Sequence, residues 1–573
     1  MLVAKINGVE EADEAVADRR LRDLRRIAAK LRRSGMKPIQ ICEGLIKDRV
    51  LDAETKSFFR DLAEDEKHYW VASLYALLMS TKRRRKLAAY FTPPHLAHYV
   101  VELVCDAGVE PGRHRILDPA SGGAAFLGPL AARIAKLCAQ RGASCEKVLQ
   151  TVESTLAGVE IDPDLGRLSK LVLFDLLKKE IVTAGRKPRI SIQEADTLKL
   201  APPKDLYDAI VANPPYGRIL RPSSALRSGF SGVISHGYVN LYALFIEQAL
   251  RWVKPDGVIC LVVPMSFIGG PYFAALRKRI LETCHVVRLD PIDKRSDVFL
   301  DVLYDVCVLV LRRRGALRTF SPPASSLLII GQPNRPLGSL DLPQRTSDRI
   351  WALPDSGQSD GVFQPGFETL QDYGYIAKTG YFVWNREQHR YRVGYKPRSN
   401  EVPLFWAHNI TANKISIPHD GEQGSSRIGF VKVEPNSTAI ISSDAVVLQR
   451  TSNRRQKRRI IAGIIRQSTV QGSRGCVTEN HTIVVIPDPA KTQALPLGML
   501  CRLLNTAAVD KRFRRVSGSV SVSTKALAQL PLPAAKQVKA ACANGIDDER
   551  AIEVAYSRSK LSVAKEMSAR AGT

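Results

Sequence analysis

At 573 residues with 45% hydrophobic side chains, the chain is long enough for several buried cores and too apolar to be intrinsically disordered. Its 84 Lys and Arg against 57 Asp and Glu leave a formal charge of +27, a field that attracts polyanions, nucleic acid first among them, and is hard to assign to a solvated surface alone. Ten cysteines without CxxC spacing suggest neither a disulfide framework nor a metal site, and no apolar run approaches the ~20 residues of a membrane span, so reduced thiols and a cytoplasmic location are expected.

Residues 1–89 read as a helical N-terminal region. The stretch LRDLRRIAAKLRR sets Leu21, Leu24, Ile27, Ala28 and Leu31 on one face, and its beginning lacks the apolar centre of a signal peptide. A second apolar helix, HYWVASLYALLMS, runs into the cluster Lys82-Arg83-Arg84-Arg85-Lys86, which reads as a solvated face unless a polyanion passes close by. Glu54-Thr55-Lys56 has an ExK nuclease spelling, but no Pro-Asp pair precedes it and the region is helical, so a fused nuclease is not expected.

Over 90–315 the pattern changes to apolar runs separated by helical stretches: RILDPA, LAGVEID, RISIQEAD, DAIVAN, GVICLVVP, HVVRLDPI and DVCVLVLRR. Near-continuous apolar strands between helices indicate a doubly wound α/β domain with a parallel sheet covered on both faces. Residues 316–345, rich in Pro, Gly and Ser, read as a linker; 346–535 has the mixed α+β texture of a second domain, and 536–573 reads as a helical tail.

In open α/β sheets ligands bind beyond the carboxyl ends of the strands, so each strand end is a candidate site. The turn DPASGGA, residues 118–124, follows a strand and opens a helix with small residues that let a cofactor approach the backbone; lacking GxGxxG, it suits a nucleoside other than a nicotinamide. Glu160 closes the next strand, placed to accept two hydrogen bonds from a ribose diol, and Asp196 closes the third. Each carboxylate alone reads equally well as a helix cap. As successive strand ends, the two favour a nucleoside.

A fourth strand ends in Asn213-Pro214-Pro215-Tyr216. The Asn213 amide oxygen and the Pro214 carbonyl are fixed acceptors for an NH2 group, stiffened by prolines that bring no competing donor. Accepting both protons of a conjugated amine draws its nitrogen toward tetrahedral geometry and aims the lone pair at an electrophilic carbon, such as a methyl on a sulfonium. Tyr216 offers a ring face on which a flat substrate can stack.

Taken in order, Tyr90-Phe91-Thr92-Pro93-Pro94, DPASGGAAFL, GVEIDP, Asp196, NPPYG, NLYALF and GVICLVVPMSFI resemble the N6-adenine DNA methyltransferases of restriction–modification systems with gamma-type motif order. The resemblance is strong over about 70–315. It implies a Rossmann-like domain binding S-adenosyl-L-methionine through Phe91, Thr92, Asp118, Pro119, Ala120, Gly122, Glu160, Ile161, Asp196, Thr197 and Asn213. It further implies catalysis by Asn213, Pro214, Pro215 and Tyr216, with Tyr216 and Phe299 as rings around a flipped adenine, although Tyr304 competes with Phe299 and a core role suits Phe299 too. One departure stands out: the family turn reads DPACGSG, whereas Ser121 and Ala124 replace its Cys and final Gly here.

NPPY also occurs in enzymes acting on protein glutamine and on RNA bases, so the remainder must decide the substrate. Residues 218–239 form a basic Gly/Ser-rich loop suited to a phosphate backbone. Beyond the linker, Tyr375, Tyr381, Phe382, Trp384 and Tyr391 alternate with Arg386 and Arg392, followed by Phe405 and Trp406 and by clusters at 450–459 and 511–515. A whole module of this composition favours double-stranded DNA as partner, with a separate restriction endonuclease implied by the resemblance. An RNA base methyltransferase and a catalytically inactive DNA-binding subunit are the alternatives.

Overall fold

The computed structural model describes residues 19–571 except 50–51, 81, 85–90, 235–238, 294–304, 318–320, 330–331, 344–348, 355–362, 364–365, 417–426, 452–457, 471–473, 518–520 and 544–547, with backbone alone for 561–571. Two compact units emerge. The first takes the described residues up to Met265 together with 275–339; the second takes Ser266–Ala274, Leu340–Pro343 and the described residues from 349 onward.

The first unit is built on nine strands: β1 Ile116–Asp118, β2 Leu156–Glu160, β3 Ser191–Glu194, β4 Tyr207–Ala212, β7 Val253–Pro264, β8 Cys284–Pro291, β9 Val306–Arg313, β10 Ala324–Leu327 and β11 Arg335–Ser339, with a separate hairpin of β5 Arg218–Ile219 and β6 Val239–Asn240. The order is β11-β10-β8-β9-β7-β4-β1-β2-β3. From β3 to β7 every pairing is parallel. The chain runs outward from β1 to β3 and then restarts on the other side with β4. The ends of β1 and β4 therefore flank the switch point, where doubly wound sheets bind ligands.

Two expectations change. The sheet is mixed, because β9 lies antiparallel to both β7 and β8. A strand buried on two faces reads as one apolar run whichever way it points. Nor is 316–345 all connection: β10 and β11 extend the sheet beyond β8. Ser325 and Ser326 are buried there, held by the Leu289 carbonyl at 2.5 Å and the Asp290 carboxylate at 2.6 Å, so the strand carries no apolar signature.

The N-terminal helices belong to this same unit. Leu24, Ile27, Ala28 and Leu31 are buried on the inner face of a helix over 19–31, as their spacing required. Helix Glu64–Leu78 is buried along nearly its whole length from His68 onward, and His68 Nε2 lies 2.9 Å from Asp175 on the helix Pro163–Leu176 that follows β2. What reads as an extension is thus packed against the helix that follows β2 and belongs to the wall of the sheet domain.

The second unit has strands β12 Tyr375–Thr379, β13 Tyr391–Gly394, β14 Glu401–Phe405, β15 Ile410–Thr411, β16 Lys414–Ile415, β17 Ile428–Lys432, β18 Ala445–Gln449, β19 Ala462–Ile465, β20 Val477–Thr478 and β21 Thr482–Pro487. They form sheets β12-β21-β18-β19 and β13-β17-β14-β20 and the hairpin β15–β16. Its core joins Tyr375, Val446 and Val485 to Leu500, Phe513, Leu527, Val538, Ala551 and Tyr556. The helices over 536–560 therefore close this core rather than trailing from it.

Candidate active site

Four strand ends of the first unit meet at a cavity of about 660 Å³. Phe91, Pro119, Ala120, Gly122, Glu160, Ile161, Asp196, Thr197, Asn213 and Pro215 all line it. Thr92, Asp118, Pro214 and Tyr216 stand behind these as buried supports. Phe299 and its competitor Tyr304 lie outside the described residues, as does Tyr90.

The turn after β1 is shaped by two left-handed residues, Gly122 at φ +52° and Ala124 at φ +62°. The second is where the family pattern has glycine, and here a side chain accepts that conformation. The Asp118 carboxylate accepts the Ala120 N–H at 3.0 Å. Only 1% exposed and near Glu160, it is raised by burial to a pKa of about 8.

Glu160 is gripped from both sides: Gly122 N–H donates to Oε2 at 2.8 Å and Asp162 N–H to Oε1 at 3.0 Å. Burial raises its pKa, and those backbone donors oppose the shift. The carboxylate is fixed on the cavity wall with acceptor capacity to spare. Asp196 does cap a short helix, accepting Leu198 N–H at 3.1 Å, and lines the cavity as well. Thr197 beside it donates to the Pro119 carbonyl at 2.6 Å, tying the third strand end to the first.

At the end of β4 the Asn213 amide is held at both poles. Nδ2 donates to Thr92 Oγ1 at 3.1 Å, and Oδ1 accepts from the Tyr216 hydroxyl at 2.6 Å. The same hydroxyl lies 3.0 Å from the Val262 carbonyl on β7. Tyr216 is 5% exposed, and burial holds its phenol well above the usual range, as a neutral donor. The ring expected to face a substrate therefore does not line the cavity; its hydroxyl orients the amide.

The cavity also uses residues the sequence reading passed over. Leu241, Phe245 and Gln248 line it from one face of the helix Leu241–Trp252, which begins in the NLYALF motif. Their i, i+4, i+7 spacing carried the signal. The described part of the loop 218–239, expected to track phosphates, contributes Ile219, Leu226 and Phe230 to the lining. Arg251 secures it, donating to the Gly229 carbonyl at 2.6 Å and lying 4.8 Å over the Phe230 ring.

In the second unit several cations read as phosphate contacts are occupied internally. Arg515 donates to the Leu353 carbonyl at 2.7 Å, Arg514 pairs with Asp510 at 2.8 Å, and Arg512 lies over Tyr556. Arg458 pairs with Glu549 at 2.7 Å. Arg454, Arg455 and Lys457 lie outside the described residues. The aromatic stretch gathers Phe382, Trp384, Tyr391 and Trp406 into one ring cluster, with Trp384 39% exposed.

Residues 155–299 match the family described as Eco57I restriction-modification methylase. The chain is 23% identical over 344 residues to the type II methyltransferase M.BsuBI of Bacillus subtilis, covering 58% of this chain and 66% of that protein. It is likewise 23% identical over 350 residues to M.PstI of Providencia stuartii, with the same coverage. The chain thus spans just under two thirds of these relatives. Among solved structures, the type IIL restriction-modification enzyme MmeI in complex with DNA is similar with a TM-score of 0.52 at 13% identity, over 87% of this chain and 78% of that one. That likeness shows a shared fold, with the Rossmann-like α/β sheet in its first unit.

Proposed function

We propose that the protein transfers a methyl group from S-adenosylmethionine to the 6-amino group of adenine in duplex DNA, acting in the cytoplasm as the modification enzyme of a restriction–modification system. The observation that carries this reading is Asn213, an amide fixed at both poles on the wall of the cavity that also presents Glu160 and Asp196. The match over 155–299 and the type II relatives support the reaction class.

The cavity's chemistry suits the cofactor. Glu160 has acceptor capacity for a ribose diol and Asp196 for an exocyclic amine, while Ile161, 54% exposed, and Phe245 supply apolar faces for a purine. Ala120 and Gly122 take the amino-acid end, with Thr92 behind them holding Asn213. When bound, the cofactor supplies an electrophilic methyl on a sulfonium.

Everything else falls to the chain's own groups. An amide oxygen has two acceptor positions, so Asn213 Oδ1 can keep Tyr216 and receive one N–H of the target amine, while the Pro214 carbonyl receives the other. Held this way, the nitrogen loses conjugation with its ring and points its lone pair. Thr92 and Tyr216 keep the amide from turning its NH2 toward the amine. Since that amine is inside a duplex, the adenine must leave the stack; Phe299 is the ring assigned to receive it, while Tyr216 holds the Asn213 amide from behind the cavity wall. The second unit supplies target recognition, and a separate restriction endonuclease is the implied partner.

The test is transfer of labelled methyl from S-adenosylmethionine to DNA, RNA or neither, followed by nucleoside analysis. N6-methyladenine from duplex DNA is expected. Label entering RNA alone would contradict the assignment of substrate.

A further inference from the structure

We propose that Tyr75 and Arg83, on the N-terminal helices and away from the cavity lining, are positioning residues for the cofactor site that act through Asp162 on Glu160. The inference rests on the proposed function for what Glu160 binds. Asp162 is 2% exposed, and a carboxylate buried that deeply must be matched by donors. The cap of its own helix supplies Asp164 N–H at 3.1 Å and Leu165 N–H at 3.3 Å to Oδ1. The N-terminal helices supply the rest: the Tyr75 hydroxyl at 3.0 Å on Oδ1 and the Arg83 guanidinium at 2.6 Å on Oδ2.

The link to the site is one bond long. The backbone N–H of Asp162 is the donor that fixes Glu160 Oε1 at 3.0 Å, and Gly122 fixes the other oxygen. Two nearly buried carboxylates two residues apart repel each other, and Asp162 is among the causes that push Glu160 toward its protonated form. Arg83 places a positive charge against that pair. Without it, Asp162 either shifts toward solvent, dragging its N–H from Glu160, or stays and disfavours the charged carboxylate that a diol needs.

Tyr75 completes the arrangement from inside. It is fully buried, and its phenol, raised by burial and by Asp162, stays a neutral donor. Arg83 keeps a side chain 47% exposed, so trimming it removes little packing. Within the basic run at 82–86, Arg83 thus belongs to the cofactor wall rather than to a plain solvated face.

The experiment measures S-adenosylhomocysteine binding by calorimetry, and duplex DNA binding in parallel, for wild type, Tyr75→Phe, Arg83→Ala, Arg83→Lys, Glu160→Ala and the Arg83→Ala/Glu160→Ala double variant. Each of Tyr75→Phe and Arg83→Ala is expected to weaken S-adenosylhomocysteine about tenfold while leaving DNA affinity unchanged. Arg83→Lys recovers most of the loss. In the Glu160→Ala background Arg83→Ala adds nothing, because a residue acting through Glu160 has nothing left to position. Unchanged cofactor affinity in both single variants, or a full additional loss in the double variant, overturns the inference and leaves the proposed function standing. A wild type that binds no S-adenosylhomocysteine overturns both.

Discussion

The Tyr216 hydroxyl sits 2.6 Å from Asn213 Oδ1, and Thr92 Oγ1 sits 3.1 Å from Asn213 Nδ2, so one amide on the cavity wall is oriented by two buried hydroxyls from different parts of the chain. Tyr216→Phe keeps the ring and frees the amide to rotate. Steady-state kinetics should show kcat falling by about tenfold with cofactor KM within about twofold. The lost hydrogen bond should cost about 1 kcal/mol of stability in denaturant melts. An unchanged kcat would mean that the hydroxyl does not set the amide.

Gly123 has no room for a side chain: a Cβ there would meet the Ala72 methyl of helix Glu64–Leu78 at 2.8 Å. Gly123→Ala forces the turn and that helix apart and should cost about 1–3 kcal/mol, with weakened cofactor binding. Adding Ala72→Gly opposite it should recover much of the affinity. If the double variant binds no better than Gly123→Ala, the fault lies elsewhere than in this contact.

Burial raises Asp118 from an ordinary carboxylate value to about 8. A group raised in the folded state contributes stability that is present below the unfolded value and lost as pH rises through the folded one. For Asp118 that window runs from about 4 to about 8. Asp118→Asn should therefore flatten the decline in melting temperature of the cofactor-free protein between about pH 4 and 8. A variant whose curve parallels wild type would remove Asp118 from the cause.

Arg251 fastens the segment over the cavity through the Gly229 carbonyl and the Phe230 ring. Replacing it with leucine should speed dissociation of S-adenosylhomocysteine about tenfold in stopped-flow displacement while changing association little. Equal dissociation rates would show that the segment does not retain the ligand.

The sequence was most legible where strands end. Apolar runs closing on Asp118, Glu160, Asp196 and Asn213 give both the α/β class and the place of the cavity, because a doubly wound sheet converts strand order into one crevice. What stayed hidden depends on tertiary partners. Direction is not written in a strand buried on both faces, so the antiparallel β9 was missed. The serines of β10 carry no apolar pattern because their polarity is matched by Leu289 and Asp290. Tyr216 looked like a free ring since nothing local shows its hydroxyl reaching Val262, 46 residues on. The internal partners of the arginines at 512, 514 and 515 were not legible because they come from a ring, a helix turn and a distant carbonyl.

The central claim is that a rigid acceptor at Asn213 prepares an adenine amine to receive methyl. Its most direct test follows labelled methyl from S-adenosylmethionine into duplex DNA for wild type and Asn213→Ala, with S-adenosylhomocysteine affinity measured on the same preparations. Wild type should yield N6-methyladenine, and the variant should bind the cofactor product within a few-fold while its transfer rate drops by at least about 100-fold. Transfer by Asn213→Ala at the wild-type rate, or label on a position other than the adenine amine, would contradict the account.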